Sequence, residues 1–314
     1  MSTDKSNKPT VSNAKAKAGA PTPAPKPTPS LPAVAAHLPP LFRKIDWLTL
    51  AITFAVVWTG YYFTLAPDLT LEDSVELAVG SFYAGVPHPP GYPVWTIYTW
   101  LWCALLPIGN IAWRVALAEA TAAALGCGLL AFIVSRGSSM LVESIQELEA
   151  MTGRWENAIC MVSGFVAGTL LGFNGYMWSQ SVIVEVYSFG VLSLVMTLLF
   201  LLRWIYAPHQ RRYLYWALFM HGICVTNHQT LLLAAIAIEV TIAAAQPKIG
   251  RDLFLGNSVL YILGLIAKQQ HILTGFDSNP PIFVIFNIVA LPLLLSLPGF
   301  GLRRSSSRPN GNRF

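Results

Sequence analysis

Apolar residues gather along this chain into long runs separated by short polar stretches. The runs cover 46–66, 92–107, 111–135, 157–174, 181–204, 213–226, 229–246, 253–268 and 281–300. A helix that is apolar on all sides is either core or membrane-embedded. In hydrocarbon only helices and closed barrels satisfy the backbone, and runs this long are not barrel strands. The pattern therefore predicts an all-α polytopic membrane protein. One run stands apart. As a helix, 92–107 rises roughly 24 Å, short of a hydrocarbon core of about 30 Å. It also carries Tyr92, Trp95, Tyr98, Trp100 and Trp102, and such rings belong at the membrane–water boundary.

Positive charge decides how that segment is read. With the N-terminus inside, a spanning 92–107 would put Arg136, Arg154, Arg203, Arg211, Arg212, Lys248, Arg251 and the arginines after 302 outside. If it lies on the outer surface, all of these become cytoplasmic and only Arg114 and Lys268 stay outside. The excess of Lys and Arg on cytoplasmic loops favours the surface helix. The expectation is about eight transmembrane helices, with interfacial helices in the first outer loop (67–110) and both termini cytoplasmic. The shortest expected span is 213–226. The stretches 67–110, 174–180, 226–229 and 269–281 then share the outer side.

Composition agrees with this class: 54% of residues are hydrophobic and 11% charged, against about 25% charged in soluble domains. Residues 1–45 form a Pro-, Ala- and Lys-rich tail that cannot build a core. The membrane domain is 46–301, opening with an uncleaved signal anchor, and 302–314 is a basic tail. The net charge of +5 lies in tails and short loops, with no basic face interleaved with aromatics, so nucleic acid is not an expected partner. Cys103, Cys127, Cys160 and Cys224 lack CxxC spacing and read as small buried hydrophobes. The stretch 142–157 reads as a solvated cytoplasmic helix.

The first outer loop holds the densest chemistry, LEDSVELAVGSFYAGVPHPPGYPVW. On a helix, Leu71, Val75, Ala78, Val79 and Phe82 make one apolar stripe. Glu72, Asp73, Glu76, Gly80 and Tyr83 lie opposite, with Gly80 expected to leave open space. Asp73 and Glu76 are three apart and so neighbours. Pro87, Pro89, Pro90 and Pro93 then fix a stiff turn around His88. An acidic solvated face and a histidine bonded within its turn would account for the same residues. Two carboxylates supply too few oxygens for a hard cation. No cofactor is evident, and a divalent metal stays open.

The string of acidic helix, His-Pro-Pro-Gly-Tyr-Pro turn and aromatic surface helix resembles the membrane-embedded GT-C glycosyltransferases. It is most similar to the multipass family, long of unknown function in bacteria, that includes the eukaryotic transmembrane O-mannosyltransferase of plexin-type domains. The resemblance rests on Asp73, Ser74 and Glu76, on His88 to Pro93, on Asn110 and Arg114, on Trp178 and Glu185-Val186-Tyr187, and on Asn227-His228. Val75 stands where that family usually shows Gly, and its members are longer.

The resemblance implies a GT-C-like helical bundle in a bacterial inner membrane. It would move a mannose-like sugar from a polyprenyl phosphate to a hydroxyl of a protein or glycan acceptor on the outer face, with inversion. Asp73 would be the base and Glu76 its partner. His88, Tyr92, Arg114, Glu185, Tyr187, Asn227 and His228 would bind substrate, with Lys268 a weaker candidate. The phosphate leaves without a general acid but needs donors around it. Arg114 snorkelling to headgroups, and His228 satisfying a helix corner, are the structural alternatives. A lipid or solute transporter using Glu119, Glu185 and Glu239, or a non-catalytic relative, is the alternative function. No internal repeat of the transporter kind is evident.

Overall fold

The computed structural model describes residues 40–70, 73–145 and 153–272, and the structural statements below concern these alone. The expected tail before residue 40, the run 281–300, the tail 302–314, Leu71, Glu72 and most of the loop 269–281 lie outside them. The described chain is helical, with no strand among the described residues. Its helices are α1 (Lys44–Thr64), α2 (Ser74–Tyr83), α3 (Pro93–Leu105), α4 (Ile111–Ser144), α5 (Gly153–Gly172), α6 (Gly175–Ser181), α7 (Tyr187–Tyr206), α8 (Arg212–Asn227), α9 (Ala234–Ala245) and α10 (Pro247–Gln269). A 3-10 turn, Gln229–Leu233, joins α8 to α9.

Four helices are long and apolar enough to cross a membrane: α1, α4 over Ile111–Glu143, α7 and α10. A fifth span arises if α5 and α6, bent by 66° across a short break, are taken together. The protein is thus a multi-pass membrane protein. The eight expected spans become four or five by length among the described residues. Of the eight, 281–300 lies outside the described residues; α8, with 16 residues, and α9, with 12, are each short of a full crossing.

α4 lies at the centre and packs against α1, α5 and α7. Its Ala-rich stretch makes this possible: Ala120, Ala123 and Ala124 are fully buried with Val57, Tyr61, Cys127 and Met177. The same economy of side chains operates on α5, where Gly164, Gly168 and Gly172 recur every fourth residue. A Cβ on Gly168 would lie 2.5 Å from Thr53 Cγ2 and 2.7 Å from the Cys127 carbonyl oxygen. Small residues let the three backbones approach, as membrane helices require. All four cysteines are reduced and buried, as expected.

α4 runs for 34 residues, about 51 Å, well beyond its apolar run. The helix continues through polar sequence because Arg136, Ser139 and Glu143 fall on one face. Arg136 Nη1 donates to Ser139 Oγ at 2.8 Å and to Glu143 Oε1 at 3.1 Å. Nearby, Ser135 donates to the buried Asp46 of α1 at 2.6 Å. Arg43 pairs with Asp46 and with Glu156 of α5. These contacts tie the start of α1 to the end of α4 and the start of α5.

At the opposite end, Asn110 just before α4 donates to the Pro67 carbonyl just after α1, at 2.9 Å. α1 and α4 are therefore antiparallel, and the chain between them returns to the end it left. α3, with 13 residues and about 20 Å of rise, makes no crossing. The surface-helix reading drawn from charge agrees with this geometry.

Candidate active site

α2 starts at Asp73 and closes at Ala84, whose left-handed backbone (φ 50°) lets its N–H reach the Gly80 carbonyl. The next residue makes the same contact, Gly85 N–H to Gly80 O at 2.8 Å. The chain then folds back over the helix. Gly80 does not leave open space: a Cβ there would stand 3.0 Å from Pro87 Cγ. The missing side chain gives the Pro-rich turn room to lie close on α2. The expected stripe divides as well. Ala78 is buried with Ser74, Leu77 and Ser81, while Val75, Val79 and Phe82 stay exposed. With Leu69, Ile111 and Ala112 these three line a cleft of about 310 Å³.

The folded-back turn delivers His88 to the acidic face. Its backbone N–H donates to Glu76 Oε1 at 2.6 Å, and its Nδ1 lies 3.2 Å from Glu76 Oε2. Its Nε2 lies 3.0 Å from the Tyr92 hydroxyl and 3.8 Å from Asp73 Oδ2. The imidazole is thus clasped between two carboxylates and a phenol. The two contacts from His88, backbone first, hold the Glu76 carboxyl below the usual carboxylate range. Burial pushes the Tyr92 phenol up, and the nearby Tyr187, Asp73, Glu185 and Glu76 add to this. Asp73 is the exposed carboxylate beside this clasp.

Tyr92 also links the two halves of the site, since it shares one buried cluster with Val184 and Val186, which flank Glu185. The expected continuous helix 181–204 is broken here. The stretch 174–180, expected on the outer side, forms α6 after an Asn174 cap whose Oδ1 accepts from Met177 N–H at 2.9 Å. The chain then unwinds over Val182–Val186 before α7 begins. Glu185 is almost fully buried in that unwound stretch. The buried Asn227, at the end of α8, donates to the Val186 carbonyl at 2.8 Å. His228, in the extended corner after it, faces the Tyr187 ring at 5.6 Å and meets the Thr230 hydroxyl through Nδ1 at 2.6 Å. Asp73, Glu76, His88, Tyr92, Glu185, Tyr187, Asn227 and His228 therefore gather at one end of the bundle.

Arg114 does not join them. Its guanidinium donates to the carbonyls of Cys103 at 2.9 Å, Ile108 at 3.0 Å and Gly109 at 3.0 Å. Cys103 is eleven residues after Tyr92 along α3, about 16 Å of helix. Arg114 thus closes the far end of α3, a stronger structural role than headgroup snorkelling. Lys268 sits in the last turn of α10.

Asp73, Glu76 and His88 could also hold a metal ion. Their ligand atoms lie within 4.8 Å of one another, and the third donor comes from the turn, which sequence spacing could not bring near. Sequence reasoning gave Glu119 a role only in the transporter alternative. Its signal was an acid in an Ala-rich membrane run, and the structure pairs it with Trp95 of the surface helix.

The family described as Protein O-mannosyl-transferase TMEM260 N-terminal domain matches residues 73–249. That span begins at Asp73 and holds every residue gathered above. Protein O-mannosyl-transferase TMEM260 of Mus musculus is 27% identical over 188 residues, covering 59% of this chain and 24% of the relative. The chain thus spans about a quarter of that relative's length. No solved structure matches the chain.

Proposed function

Because this chain belongs to the Protein O-mannosyl-transferase TMEM260 N-terminal domain family, we propose that it is a membrane glycosyltransferase. It transfers a mannose-like sugar from a polyprenyl phosphate to an acceptor hydroxyl at the outer membrane face. The acceptor is a protein or a glycan. Asp73 takes the proton of that hydroxyl. The hydroxyl oxygen attacks the anomeric carbon from the face opposite the phosphate. The bond from carbon to phosphate oxygen breaks, and polyprenyl phosphate departs with the electron pair, so the anomeric centre inverts. Phosphate is a good leaving group, and no acid is needed to protonate it.

The observation that carries the reading is the clasp itself. An exposed carboxylate lies 3.8 Å from an imidazole that Glu76 and Tyr92 hold in place. The imidazole, engaged through both nitrogens, fixes the acidic face on which the base stands. Tyr187 and His228 offer a tilted pair of rings against which the sugar can lie. The exposed strip Val75, Val79 and Phe82 suits a helix resting in the outer leaflet, where a lipid-linked donor is presented.

The test is transfer of labelled sugar from polyprenyl phosphate to candidate acceptors in membranes containing the chain. Asp73→Asn should lower turnover by about 10² to 10⁴ while donor binding stays close to wild type. Equal transfer by both would remove Asp73 as the base. Lipid or solute movement without transfer would point to a transporter. The reading needs no cofactor, so chelation should leave the rate unchanged. A loss on chelation that manganese restores would put a cation between Asp73, Glu76 and His88.

A further inference from the structure

We infer that Glu119, buried in the membrane-spanning α4, is a positioning residue for the outer site, acting through Trp95 on Tyr92 and so on His88. Glu119 has no exposed surface and its Oε1 accepts the Trp95 indole N–H at 2.7 Å. A carboxyl group within a span is costly and persists where it has a task. Holding two helices together would not by itself require one. A second bond already ties α3 to α4, from the Tyr98 hydroxyl to the Ala118 carbonyl at 2.8 Å, and Arg114 fastens the far end.

What Glu119 adds on α3 is the placement of one ring. Trp95 is fully buried in the first turn of α3 and meets Tyr92 edge-on, with ring centroids 6.3 Å apart. Tyr92 stands at the cap of that helix in a left-handed conformation (φ 42°), which persists only where the surrounding packing holds it. Its hydroxyl meets His88 Nε2, and His88 meets Glu76 and Asp73. These contacts lead from Glu119 to the proposed base, and Glu119 also faces Ser188 and the Phe189 backbone of α7. A small displacement of the indole passes to the phenol and the imidazole. A misplacement of about 1 Å at a reacting centre can cost on the order of a hundredfold in rate.

The catalytic part of this inference rests on the glycosyltransferase reading; the positional part is tested without it. Label tyrosines as 3-fluorotyrosine, assign the Tyr92 fluorine resonance with Tyr92→Phe, and compare variants. Glu119→Gln retains an acceptor for the indole and should leave the resonance in place. Glu119→Leu and Trp95→Phe should each shift it, and the double variant should match the singles. Tyr98→Phe, which cuts the parallel tie, should not. In the transfer assay Glu119→Leu and Trp95→Phe should each lower kcat about ten- to a hundredfold with KM nearly unchanged, and Glu119→Gln should retain the rate.

An unmoved resonance in Glu119→Leu and Trp95→Phe overturns the inference whether or not transfer is ever seen. Equal shifts from Tyr98→Phe reduce Glu119 to a helix fastener. A moved resonance with an unchanged kcat overturns the catalytic part alone. A wild type without transfer sinks the enzyme reading and leaves the fluorine result standing. Should Glu119→Leu not fold, Trp95→Phe and Glu119→Gln carry the comparison.

Discussion

Glu76 shows how one side chain can organise a turn. It accepts both the backbone N–H and the ring of His88, and these contacts lower its pKa. A depressed carboxyl contributes stability above its unfolded value, about 4.3 for Glu, and loses it as pH falls through the lower folded value. The turn at 85–91 should therefore stay closed at about pH 5 and open only in more acid solution. Hydrogen exchange of the His88 and Gly91 amides would follow this. Glu76→Gln should speed that exchange at neutral pH, and an unchanged rate would mean that the prolines alone hold the turn. The sequence showed the acids and the histidine but not this clasp. Twelve residues separate Glu76 from His88, and the chain folds back over Gly80, where a Cβ would crowd Pro87.

Among the elements, α3 and α5 make opposite demands. α3 has its polar work at both ends, with Tyr92 in the site and Arg114 closing the carbonyls beyond its last turn. Arg114→Leu would leave three carbonyls without that donor. Since bonds to charged groups contribute about 1.5–3 kcal/mol each, unfolding in detergent should come markedly earlier, while donor KM in the folded fraction stays as in wild type. A raised KM with unchanged stability would return Arg114 to the substrate. α5 depends on having no side chains where it meets α1 and α4. Gly168→Leu should destabilise by about 1–3 kcal/mol or more from overpacking, whereas Gly175→Ala, with open space around its Cβ position, should not through crowding. Thermal unfolding of the two variants separates them. The sequence pattern placed both elements, but not the end of α4, whose polar extension is held by Arg136, Ser139 and Glu143 bonding along one face and by the Ser139 bond to Glu156 of α5.

For the whole molecule, the antiparallel pairing of α1 and α4 puts the loops after α1, before α4 and after α5 at one end. Cysteines placed at Ile108 and Tyr176, both exposed, should label from the same side of sealed membranes. Cysteines at Leu141 and His209 should label from the other. The native thiols are buried and should stay silent. Labelling of Ile108→Cys and Leu141→Cys from one side would break the topology and scatter the candidate site.

The hydrophobic runs and the distribution of Lys and Arg by themselves determined a helical membrane protein and marked 92–107 as a helix that does not cross. These are properties of segments, set by transfer of side chains between water and lipid, and a segment carries them wherever it packs. The sequence also located the acids, histidines and tyrosines of the candidate site. Only the tertiary structure decided which of them meet. It sent Arg114 to the far end of α3, broke the chain around Glu185, and gave Glu119 a partner in Trp95. Those outcomes depend on distances of a few ångströms between residues far apart in the chain. Such distances follow from how close the Gly and Ala faces allow the helices to come, and no local pattern encodes them.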